Sequence, residues 1–131
     1  MKRMPQLASL LLSCATLTTA SCSKENAAPS GPKEYQLEDR VTSTTAPESD
    51  YLSYDNESGG TTALNHVPLP ATYHFKYPRK PGDQLSLLAS LDGGEAAAEI
   101  TASILLDGRA VKKETSRSAN APAVPVYVIG Q

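Results

Sequence analysis

Glu99-Ile100-Thr101-Ala102-Ser103-Ile104-Leu105-Leu106-Asp107-Gly108, followed by Arg109 to Thr115, decides how this chain folds. Ile100, Ala102, Ile104 and Leu106 recur at a period of two, as in a strand with one buried face. Asp107-Gly108 then supplies two residues that tolerate φ > 0, the requirement of the tightest hairpin turn. Arg109 to Thr115 is expected to pair back along the first strand. Just upstream, Ala96 to Glu99 is a helical turn at most, outweighed by the β-branched run after it.

The same alternation recurs on the N-terminal side. Gln84 to Leu91 sets Leu85, Leu87, Ala89 and Leu91 against Gln84, Ser86 and Ser90. Ala71 to Tyr77 sets Tyr73, Phe75 and Tyr77 opposite Thr72, His74 and Lys76. Tyr51 to Asp55 and Thr62 to Leu69 flank Asn56 to Gly60, with its paired glycines, and predict a second hairpin. Tyr35 to Val41 carries Tyr35, Leu37 and Asp39 on one face and Gln36, Glu38 and Arg40 on the other, which reads as a polar edge strand. Thr42 to Ser49, Pro78 to Asp83 and Ser116 to Ala123 are expected loops or turns, and Val124 to Ile129 a last strand. About seven short strands with frequent turns predict an all-β fold over 35–131: a small, single-domain antiparallel β-sandwich, immunoglobulin-like, with a small open barrel as the alternative.

The first residues have a different character. Lys2 and Arg3 precede an apolar run from Leu7 to Ala20, and Ala20-Ser21 precede Cys22. Positive charge, apolar core and small-residue cleavage site are the parts of a bacterial secretory signal, and the run is short for a membrane span. A cysteine directly after the cleavage point predicts acylation, with 1–21 as lipoprotein signal peptide and Cys22 as lipidated first residue. Residues 22–34, broken by Pro29, Gly31 and Pro32, are expected to act as a flexible tether. The predicted location is the bacterial cell envelope, lipid-anchored, at the outer membrane, either periplasmic or surface-facing. Cys14 matches a lipidation site locally but leaves a short apolar core before it. Whichever cysteine is used, no pair remains for a disulfide in the domain.

Composition bounds the chemistry. All 14 acidic residues lie beyond Cys22, whereas two of the 12 basic ones precede it. The acidic balance argues against nucleic acid as a partner, for which a basic face is required. No nucleophile elbow, phosphate loop or dinucleotide fingerprint occurs, so no catalytic residues, metal site or cofactor are predicted and the chain is read as a non-enzyme. His66 and His74 would approach one another only on neighbouring strands. Asp50, Asp55 and Glu57 are close in sequence but lack calcium-loop spacing and read as a solvated acidic loop. Lys76, Arg79 and Lys80 surround a turn and are the candidate contact for an acidic partner or anionic headgroups, against the plainer reading of a charged turn. Tyr51 and Tyr54, three apart, cannot share a strand face, so one is expected to point outward.

Tyr51 to Ile129 resembles the MmpS family of transport accessory proteins. The resemblance rests on Tyr54, on Val67-Pro68-Leu69-Pro70 before the central strands, on Leu87-Leu88-Ala89, and on Ile100 through Gly108 followed by Val111. The chain departs from the family pattern at Ala71, where a tryptophan is usual, at Ala102, where a cysteine is common, and in its lipoprotein-type signal in place of a transmembrane helix. The resemblance implies a β-sandwich outside the inner membrane that assists a resistance-nodulation-division type exporter. The expected function is thus an accessory or interaction role in the envelope, with membrane lipid and an envelope or transporter protein as partners. A surface module binding glycans or protein is the alternative.

Overall fold

A computed structural model of the chain describes residues 31–92 and 98–131. The expected signal peptide, Cys22 and most of the expected tether lie outside the described residues, as do two of the residues of the expected helical turn. Eight strands follow one another: β1 (Lys33–Thr42), β2 (Glu48–Asp55), β3 (Thr61–Pro68), β4 (Ala71–Arg79), β5 (Gln84–Ser90), β6 (Ile100–Leu106), β7 (Arg109–Ser116) and β8 (Val126–Val128). They form two antiparallel four-stranded sheets, ordered β4-β1-β6-β7 and β3-β2-β5-β8. The fold is the small β-sandwich expected from the alternation.

Its core is the set of residues that period-2 patterning turned inward. Leu52, Leu87, Ala89, Ala102, Ile104 and Val41 are fully buried, with Leu85 and Ile100 nearly so. Each buried leucine or isoleucine contributes about 1.5–3 kcal/mol through removal of apolar surface from water. Aromatic rings bridge the layers at one place: Tyr54 of β2 stacks on Tyr73 of β4, centroids 4.5 Å apart, and tilts against Phe75 at 5.2 Å. Tyr51 instead faces solvent. The two tyrosines thus divide between the faces as their spacing requires.

The hairpin at Asp107-Gly108 forms as predicted, with φ of 50° and 79° at its two central residues. It is also pinned to β1. The Asp107 N–H donates to the Gln36 carbonyl at 2.8 Å, and Asp107 Oδ1 accepts from the Gln36 N–H at 3.0 Å.

Strand β1 corrects the expectation of an edge. It lies inside its sheet, hydrogen-bonded to β4 on one side and β6 on the other. Polarity misled because the outer face of this sheet is solvated, so a central strand can be polar at every second residue. Glu38 on that face meets Arg40 and His74, and Glu34 meets Lys76. The inner face carries Leu37, Val41 and one carboxylate, Asp39, only 2% exposed. The domain also starts two residues earlier than expected, because Lys33 and Glu34 already pair with Arg79 and Pro78. Likewise β2 begins at Glu48, inside the expected loop, through pairing of Glu48 with Pro68.

Candidate functional site

The topology gives the sandwich two poles. At the near pole the chain enters β1, and the β2–β3, β4–β5 and β6–β7 turns gather there. The far pole collects the β1–β2, β3–β4 and β5–β6 connections and the segment after β7. Sequence-adjacent charges are thereby separated. Asp55 and Glu57 sit at the near pole, where Asp55 accepts from the Ser86 N–H at 2.7 Å and from its hydroxyl at 3.0 Å. Asp50 goes to the far pole, where its Oδ2 accepts the Asp92 N–H at 2.5 Å. The three acids do not form one loop site.

His66 and His74 are separated as well, since β3 and β4 belong to different sheets. His74 stands on the outer face of the first sheet, 3.8 Å from Glu38. His66 falls opposite Asp50 in the β2–β3 register, between the Ser49–Val67 and Tyr51–Asn65 pairs. Its backbone is left-handed, φ 51°, which is uncommon for a residue with a side chain. Strand alternation breaks at this pair. Val67 is buried and Leu64 packs against the core although they are three residues apart, and Leu52 and Ser49 repeat that spacing on β2. The buried Ser49 hydroxyl donates toward the carbonyls of Tyr51 and Ser90, at 2.8 and 3.0 Å.

The β2–β3 register assembles here a cluster that the sequence reading did not identify. His66 Nδ1 lies 3.3 Å from Glu48 Oε1 and 4.0 Å from Asp50 Oδ1. One donor atom from each of the three residues lies within 4.8 Å of the others. Glu48 and Asp50 also line a cavity of about 230 Å³ with the buried Leu91 and Ala98 in its wall. Beside it the β1–β2 connection is held by Glu99: the Ser43 hydroxyl donates to its carbonyl at 2.5 Å, and its N–H donates to Thr45 Oγ1 at 2.9 Å. Among the described residues, the far pole thus gathers the carboxylates of Glu48, Asp50, Asp92 and Glu99, the last paired with Arg117 at 3.3 Å.

The candidate contact Lys76, Arg79 and Lys80 lies toward the near pole but does not share one face. Lys76 projects with Thr72 and His74 from the outer surface, 3.5 Å from Glu34. Arg79, an odd number of positions away on the same strand, has the opposite parity. Lys80 opens the β4–β5 turn, its N–H donating to Asp83 Oδ2 at 3.0 Å. A carboxylate thus accompanies the Lys76 ammonium, while Asp83 holds the Lys80 backbone and not its side chain.

Deeper in the sandwich, burial pushes the Asp39 carboxyl up to about 7, and the Asp55 carboxylate adds to the effect. Burial, then the neighbouring Tyr54, raises Tyr73 above the usual tyrosine value. Asp39 belongs to the packed interior, and Tyr73 is half-buried against it. No family model and no curated protein matches the chain.

Proposed function

We propose that this chain is a non-enzymatic, membrane-anchored lipoprotein of the bacterial cell envelope whose sandwich plays an accessory or interaction role, assisting an exporter as the MmpS resemblance implies. The observation that carries the reading is the order Lys2-Arg3, apolar Leu7 to Ala20, Ala20-Ser21, Cys22. The fold is compatible with it: β1 opens at Lys33, so a short Pro- and Gly-containing stretch joins Cys22 to the near pole. For a random coil of that length the separation is roughly 18 Å, by 5–6 Å × √n scaling. The near pole would then face the lipid and the far pole would be presented to partners.

Mass spectrometry of the protein purified from membranes tests the anchor. The expected first residue is Cys22 carrying acyl mass, and Cys22→Ser is expected to release the domain from the membrane fraction. An unmodified N-terminus at another residue would refute it. Crosslinking in intact cells tests the role, with an envelope protein as the expected product.

Tyr51 favours the second reading, a surface module for glycans or protein. It is 39% exposed and borders a shallow cavity of about 390 Å³ with Ser90, Asp92 and Asn120, an aromatic ring beside polar groups that suits a sugar face. Protease treatment of intact cells separates the two. Cleavage of the domain supports surface display, and protection supports the periplasmic role.

A further inference from the structure

The far pole holds a donor set that neither the anchor nor the accessory role uses. We propose that Glu48, Asp50 and His66 form a binding site for a divalent transition-metal cation of the zinc type, with water completing the coordination. The donors are one imidazole nitrogen and two carboxylate oxygens, brought together by the β2–β3 register. Zinc bonds of about 2.0–2.2 Å in a tetrahedron place neighbouring donor atoms roughly 3.3–3.5 Å apart. The His66–Glu48 separation of 3.3 Å already has that value, and the His66–Asp50 separation of 4.0 Å needs only a small rotation.

Three further features fit the assignment. Asp50 Oδ2 is occupied by the Asp92 N–H, which leaves Oδ1 directed to His66. Metal ligands are commonly oriented by such an outer hydrogen bond. The adjoining cavity of about 230 Å³ gives room for water on the open side of the cation. The Asp92 carboxylate, which lines the same cavity as Glu48 and Asp50, adds negative charge at the pole and favours a cation there. An imidazole nitrogen among the donors selects zinc-like ions over calcium, which prefers six to eight oxygens.

The test uses the full chain with Cys14 and Cys22 alkylated, so that thiols do not compete, and titrates it calorimetrically with zinc chloride near neutral pH. Saturable one-to-one uptake is expected, at least tenfold weaker in His66→Ala and in Glu48→Gln/Asp50→Asn, and unchanged in His74→Ala. Calcium chloride is expected to bind at least tenfold more weakly than zinc. Nitrogen-15 NMR supplies a readout that does not depend on the variants folding: the His66 Nδ1 resonance should move on zinc addition while that of His74 stays. Absence of saturation, equal loss in His74→Ala, equal affinity for calcium, or an unmoved His66 resonance would each overturn the proposal.

Discussion

Asp39 is a carboxyl group placed where a leucine would pack, between Tyr73 on β4 and Ile104 on β6. The folded protein keeps its proton up to about pH 7, while the usual value is 3.8. Between those values the folded state binds more protons than the unfolded chain, so stability falls as pH rises through that window and levels off above it. A displacement of about 3 pH units corresponds to roughly 4 kcal/mol. Chemical denaturation of Asp39→Asn is therefore expected to show a flatter stability profile from pH 4 to 8, with the variant the more stable protein at pH 8. A parallel profile in both proteins would contradict this. The position was legible in the sequence, since alternation set Asp39 on the same face as Leu37. The consequence was not, because the strand was assigned to an edge and the burial of that face depends on both neighbours.

At the scale of elements, almost every strand could be read from alternation, and the turn chemistry fixed the hairpins. Gly108 shows why: although space around an added Cβ is open, φ of 79° is a left-handed backbone that strains any residue with a side chain, as in Gly108→Ala. About 1 kcal/mol of destabilisation is expected, measured as a lower urea midpoint with an unchanged slope. The flanking β7 lies at the end of its sheet and exposes Lys112, Lys113 and Glu114. Charge on an open strand blocks pairing with another chain. Replacing both lysines, Lys112→Val with Lys113→Val, should produce concentration-dependent association by sedimentation velocity, whereas the native chain should sediment with no such dependence. What alternation could not reveal was the kink at His66. A left-handed residue leaves no mark on polarity, and it is the β2–β3 register, setting His66 opposite Asp50, that brings Glu48, Asp50 and His66 together.

For the whole molecule, the two layers were legible and the poles were not, because a pole is assembled from connections far apart in sequence. Asp50 and Asp55 are five positions apart, yet β2 carries them to opposite ends. Glu99 and Thr45, distant in sequence, meet at 2.9 Å. That separation of ends matters if the chain is held by one terminus, as proposed. The carboxylates of Glu48, Asp50, Asp92 and Glu99 stand at the far pole. The charges at the near pole include the Lys33–Asp107 pair at 3.6 Å and the Lys76–Glu34 pair at 3.5 Å, which compensate one another. The far pole is thus the more acidic end of the sandwich among the described residues. For a domain held as proposed, an anionic surface brought within the roughly 8–10 Å that physiological salt leaves unscreened would repel this acidic end and leave the compensated one undisturbed. Contacts that press the far pole against such a surface are the ones this charge distribution disfavours.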